Sequence, residues 1–128
     1  MKNISVGAVT AIVLGLVAPS LAHHSMNMFD DEHPITLEGT IVEFQWTNPH
    51  TWIQLDVLNE QAESVEWSIE AGSPNNLARR GWSRTTFQPG DKVVIVINPM
   101  KNGSPGGSFV SATLEDGRVL GRQTSGIN

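Results

Sequence analysis

The chain has 128 residues, no cysteine and a formal net charge of −5. That length fits one small domain with a single core, and the lack of cysteine excludes disulfide staples and thiol chemistry alike. An acidic chain without a basic stripe is also a poor partner for nucleic acid, whose binding rests largely on neutralising phosphates with Lys and Arg.

Residues 1–22 read as a secretory signal peptide. Lys2 gives a short positive region, Ile4 to Val17 is almost entirely apolar or small, and Pro19 precedes Ser20-Leu21-Ala22, with small residues at both cleavage positions. The apolar run is too short to span a bilayer, and no basic stop-transfer cluster follows it. Cleavage after Ala22 would make His23 the N-terminus of a soluble product in the periplasm or outside the cell. Residues 23–34 then form a polar arm, with Phe29 expected to tuck into the barrel and anchor it. Asp30-Asp31-Glu32 reads as a solvated acidic run, and His33, before Pro34, as an exposed loop residue. From His23 to Glu70 there are ten carboxylates and no Lys or Arg, whereas from Ala71 onward seven basic residues face only Asp91, Glu115 and Asp116. The acidic half suits cations, or it is simply the complement of the basic half.

Ile35 to Trp46 is the first predicted strand. Ile35, Leu37 and Ile41 share one parity and Val42, Phe44 and Trp46 the other, so the strand changes its buried face, with a bend or bulge expected after Gly39. Thr47-Asn48-Pro49-His50-Thr51 is a turn, since Asn-Pro is a strong turn signal. Trp52 to Leu58 is a second strand with Ile53, Leu55 and Val57 inward. After a polar hairpin loop, Val65 to Ala71 is a third, with Val65, Trp67 and Ile69 on one face and Glu66, Ser68 and Glu70 on the other. Ser73 is a good N-cap, Pro74 a good first helical residue and Gly81 a good C′ residue, which predicts a two-turn helix over Ser73 to Arg80. Trp82 is assigned to the core. Lys92 to Asn98 is a fourth strand, Pro99 to Ser108 a Gly/Pro/Asn-rich loop, Phe109 to Leu114 a fifth strand, Glu115-Asp116-Gly117-Arg118 a tight turn and Val119-Leu120 a short returning strand. Residues 122–128 are a polar tail.

Three strands, a short helix and two more strands, the first strand long and bent, give a mainly β domain over residues 35–121: a small five-stranded OB-like Greek-key barrel with one short helix between strands three and four. A small sandwich or another open barrel are the alternatives. Trp67 is assigned to the core. Trp46 and Trp52 flank the first turn and serve equally well as core or as ligand platform.

OB barrels usually meet ligands on strands two and three and on the loops joining strands one to two and four to five. Those loops carry Asn48-Pro49-His50 and Asn98-Pro99-Met100, so His50 and Met100 are expected on one rim that the arm can reach. The possible metal set is His23, His24 and His50, with Met100, Met26 or Met28 as weak ligands. An N-terminal His offers an amine and an imidazole together; with another His it forms the copper histidine-brace arrangement, and thioethers favour copper further. The plain alternative is that His50 caps its turn. No Gly-x-Ser-x-Gly, P-loop or dinucleotide fingerprint is present, and Gly103-Ser104-Pro105-Gly106-Gly107 lacks the strand-to-helix context of a phosphate loop. Glu66 and Glu70 share a strand face but are expected to be solvent-exposed, so acid–base catalysis is not supported.

Taken together, His23-His24-Ser25 after a leader, Phe29-Asp30, Glu38-Gly39-Thr40, Trp46-Thr47-Asn48-Pro49-His50, Trp67-Ser68-Ile69-Glu70, Ser73-Pro74-Asn75 with Leu77, Gly81-Trp82, Pro89-Gly90-Asp91 and Asn98-Pro99 with Gly103 resemble a family of small exported bacterial proteins catalogued as a domain of unknown function. The resemblance implies a bacterial, exported, small β-barrel domain and carries over no activity, substrate or catalytic residue.

Three functional readings follow from the residues. The first is a non-enzymatic exported binding or accessory protein that holds a metal ion, most plausibly copper, or meets a periplasmic protein partner. The second is a metal-free interaction module that binds a protein, peptide or saccharide at a rim formed by Trp46, Trp52, Asn48, Asn98 and the glycine-rich loop. The third is oxidative chemistry at a copper brace.

Overall fold

Strands form wherever the sequence alternates with period two. The computed structural model describes residues 27–121. Its elements are β1 (Ile35–Gln45), β2 (Trp52–Leu58), β3 (Ser64–Glu70), α1 (Pro74–Ala78), β4 (Lys92–Pro99), β5 (Gly106–Leu114) and β6 (Val119–Gly121). β1 pairs antiparallel with β2 and β4, β2 with β3, and β4 with β5. A parallel pairing of β3 with β5 closes the barrel, and β6 adds to β5 outside it. The circuit β1-β2-β3-β5-β4, with α1 between β3 and β4, is the OB-type barrel that the element order implied.

The inward residues of each strand make the core. Leu37, Ile41, Ile53, Leu55, Ile69, Val93, Ile95, Ile97 and Ala112 are buried, joined by Leu77, Trp82 and Phe87 from the segment between β3 and β4. Phe44, Trp46 and Trp67 are partly buried against this set. Phe87 stands edge-on to Phe44 and Trp82, at 5.3 and 5.5 Å between ring centroids, and Trp82 stands edge-on to Phe109 at 5.0 Å. The expected core roles of Trp67 and Trp82 therefore agree with where they lie.

Four details differ from the expectations. The irregularity in β1 falls between Ile41 and Glu43, not directly after Gly39, and it leaves Val42 exposed. Gly39 has another role: a Cβ there would run into the carbonyl oxygen of Asp56 and the side chain of Leu55, so the glycine permits close approach of β1 and β2. β5 begins at Gly106 rather than Phe109, because Gly106 and Gly107 belong to the closing ladder, opposite Ser68 and Ile69. A Cβ on Gly107 would collide with the carbonyl oxygen of Asn98, and one on Gly106 would lie 2.9 Å from that of Ser68. What reads as a flexible loop is thus partly a strand that only glycine fits. The helix is shorter than expected, stopping at Ala78. Ser73 does cap it, its hydroxyl accepting from the Asn76 N–H at 3.4 Å, and Gly81 adopts a positive φ of 88°. Finally, Phe29 does not enter the barrel. It is half-buried at the rim, where it forms an isolated antiparallel bridge with Met100.

Candidate functional site

The rim is built by extending the β2–β3 ladder past both strand ends. Thr51 is wholly buried, and its N–H and hydroxyl both donate to the Gly72 carbonyl, at 3.1 and 3.0 Å. The Ala71 N–H donates back to Thr51 O at 2.9 Å. With Thr51 fixed inward, period-two alternation turns its neighbours His50 and Trp52 outward. The Thr47 hydroxyl donates to the His50 carbonyl at 3.0 Å and holds the preceding turn.

Register then brings a carboxylate to His50. Trp52 lies directly opposite Glu70 across β2 and β3. His50, two residues before Trp52, is therefore a diagonal neighbour of Glu70. The Nδ1 of His50 is paired with Oε1 of Glu70. The His50 side chain is 49% exposed and that of Glu70 only 22%. Glu70 is further flanked by Ser108, its parallel partner on β5. The expectation that Glu70 is simply solvent-exposed is thus corrected: it is partly sheltered and engaged. Its strand mate Glu66 is exposed, as expected.

The arm meets this rim. The Asp30 N–H donates to Pro99 O at 2.8 Å and the Lys101 N–H to Met28 O at 2.9 Å, on either side of the Phe29–Met100 bridge. Phe29 also lines a groove of about 390 Å³ with Pro49, His50, Glu70, Ser108 and Phe109. One arm residue is therefore bridged to the second of the two loops that the sequence placed on a common rim and shares a groove with the first. The acidic run beside it is not all free. Asp30 accepts from the N–H groups of Glu32 and His33, and its Oδ2 lies 3.0 Å from the His33 Nδ1. The hydrogen bond to the His33 side chain holds the Asp30 carboxyl below the ordinary aspartate value, with His33 charge and the two backbone N–H groups acting the same way and desolvation opposing them. Asp31, Glu32 and His33 are exposed.

The remaining candidates scatter. Met100 is half-buried, beside Gly106, and Met28 is 54% exposed. Trp46 packs edge-on against Phe44 at 5.8 Å between centroids, which assigns it to the border of the core. Trp52 is half-buried on the outer face, outside the set packed on the core. Asn48 is exposed in the turn, while Asn98 sits in β4 opposite Ser108 and lines a separate groove with Trp82 and Phe109. His23, His24 and Met26 lie outside the described residues. Among the described residues, no three His, Asp or Glu side chains come together as a metal-ligand group, and no helix is long and apolar enough to cross a membrane. Sequence reasoning missed Glu70 as the partner of His50. The signal that could have found it is the register: a hairpin pairing Trp52 with Glu70 puts His50 on the diagonal.

The model of a family of unknown function (DUF6152) matches residues 11–109. Neither a curated protein nor a solved structure matches the chain.

Proposed function

The chain belongs to this family of unknown function, and on that premise we propose that it is an exported, non-enzymatic accessory protein that binds copper at the barrel rim. In this reading the leader is cleaved after Ala22, and His23 supplies an amine and an imidazole. His24 or His50 completes the set, with Met100 or Met26 as a weak further ligand. The observation that carries it is the shared groove: Phe29 of the arm and His50 of the turn line the same concavity. Five residues lie between His23 and Phe29, and an extended chain over those six steps covers up to about 20 Å. An N-terminal amine and imidazole are therefore within reach of His50. Nitrogen donors with an optional thioether favour copper over calcium or magnesium, which prefer oxygen cages. Ten carboxylates in the half that carries the His residues would raise the local cation concentration.

The test is intact mass together with copper titration of protein exported and processed by a bacterial host. The reading expects a chain starting at His23 that binds one copper per molecule, with affinity strongly reduced by His23→Ala and by His50→Ala. A chain that starts elsewhere, or unchanged affinity in His50→Ala, overturns the three-His site. A second reading is favoured by one observation: Trp52 is the rim tryptophan left on the outer face. A metal-free module would then use Trp52 to dock a protein, peptide or saccharide. Trp46 contributes less to that rim than expected, because it packs on Phe44.

A further inference from the structure

The pairing of His50 with Glu70 bears on more than where the ring sits. An ionised carboxylate only accepts hydrogen bonds, whereas a neutral imidazole has one donor nitrogen and one acceptor nitrogen. A bare Nδ1 facing Glu70 Oε1 would set two lone pairs against each other. The Nδ1 of His50 must therefore carry the proton, and the lone pair of the neutral ring falls on Nε2. Free imidazole side chains in water favour the opposite tautomer, so the arrangement has to be imposed by the protein.

We infer that Glu70 is the positioning residue of the rim. It holds His50 in the Nδ1–H tautomer and presents Nε2 as the donor nitrogen for a borderline metal ion of the copper class. Three features make Glu70 able to do this. Its backbone is fixed in two ladders at once, opposite Trp52 on β2 and beside Ser108 on β5. Its side chain is only 22% exposed, so water competes less for Oε1. The peptide that follows His50 is held from both of its ends, by the Thr47 hydroxyl on the His50 carbonyl and by the Thr51 N–H on the Gly72 carbonyl. A carboxylate that holds a ligating histidine in this way fixes the tautomer and the orientation of its ring. Glu70 would not touch the metal; it would act through His50.

The assignment of the tautomer stands on the geometry alone. The role toward metal rests on the copper reading, and the test separates the two. The full processed chain, labelled with ¹⁵N in histidine and free of metal, is examined at alkaline pH by long-range ¹H–¹⁵N correlation. Wild type is expected to show the Nδ1–H tautomer at His50. Glu70→Gln, whose amide can accept from or donate to Nδ1, is expected to show a mixture, and Glu70→Ala the Nε2–H form. An Nε2–H tautomer in wild type overturns the inference, and it does so even if Glu70→Ala fails to fold. The same tautomer in wild type and Glu70→Ala overturns it as well. Copper titration follows on the same three proteins. Glu70→Ala is expected to bind about 10- to 100-fold more weakly, the usual cost of losing such a supporting carboxylate. If wild type binds copper and Glu70→Ala binds it equally well, the positioning role toward metal is wrong. If wild type ignores copper while the tautomer follows Glu70, the copper reading fails and the assignment of Glu70 to His50 stands.

Discussion

Phe87→Ala is expected to be among the most damaging single changes in the domain. Phe87 is 1% exposed and packs edge-on to both Phe44 and Trp82. Truncating a buried Phe to Ala removes its transfer free energy and leaves a cavity, together costing about 3–5 kcal/mol. Two edge-to-face pairs are lost with it, each of which adds about 0.5–1.5 kcal/mol beyond area burial and part of which is already inside that range. At about 0.05–0.15 kcal/mol per residue, a barrel of this size holds a total stability of roughly 5–14 kcal/mol. The variant therefore loses at least about a fifth of its stability, and most of it if the domain lies at the low end of that range. Phe87→Leu keeps most of the volume and gives up mainly the aromatic geometry, so its cost is expected to stay near 1–2 kcal/mol. Equilibrium urea unfolding followed by tryptophan fluorescence reads both, with Trp82 a direct neighbour of the change. The midpoint is expected to fall while the slope with denaturant stays constant, since the surface exposed on unfolding is nearly the same. A loss under about 1 kcal/mol in Phe87→Ala would refute the view that this ring is a tightly packed part of the core.

Gly107→Ala is expected to lower stability by about 1–3 kcal/mol, because the nearest obstruction is the Asn98 backbone carbonyl, which cannot rotate away, with the buried Ile97 side chain close behind it; an unchanged urea midpoint would show that the strand pairing around Gly107 is looser than drawn. Thr51→Val keeps the shape and removes the hydroxyl bond to Gly72, at a cost of about 1 kcal/mol by thermal or urea unfolding. The turn over residues 30–33 at the base of the arm is expected to depend on acid pH through Asp30. Its carboxyl is held below the ordinary aspartate value, so its contribution is complete above that value and is lost as pH falls through the lowered one. Amide shifts of Glu32 and His33, whose N–H groups donate to that carboxylate, are expected to report this through an acid titration, and Asp30→Asn is expected to flatten the response. Copper affinity is expected to fall with falling pH as well, because bound imidazole and amine must release their protons, and isothermal titration at two pH values checks it.

The strands were legible because their signals are local. Ile53, Leu55 and Val57 alternate with polar neighbours, and β2 spans the same Trp52–Leu58 that the alternation predicts. The cap at Ser73 and the turn at Gly81 were legible for the same reason: side-chain chemistry and positive φ are properties of single positions. Closure was not. Gly106 and Gly107 look like loop residues until β3 stands beside them, and Ser68 and Ile69 are nearly 40 positions away in the chain. Phe87 gave no periodic signal, since it lies in the irregular segment between α1 and β4 and is buried by tertiary packing alone. At the rim, the sequence pointed to His50 and Met100; Phe29 of the arm bridges Met100 and lines one groove with His50. Glu70 remained hidden because its meeting with His50 depends on the exact register of β2 on β3, which alternation leaves open.

The central claim is that an N-terminal His and His50 bind one copper together. The most direct measurement is electron paramagnetic resonance of the mature chain loaded with one equivalent of Cu(II), compared with His50→Ala and with a chain carrying one extra alanine ahead of His23. Nitrogen hyperfine structure from the amine and from at least two imidazoles is expected in the mature chain. One imidazole fewer is expected in His50→Ala, and loss of the site when the added residue moves the free amine off His23. The same spectrum in all three proteins would contradict the claim.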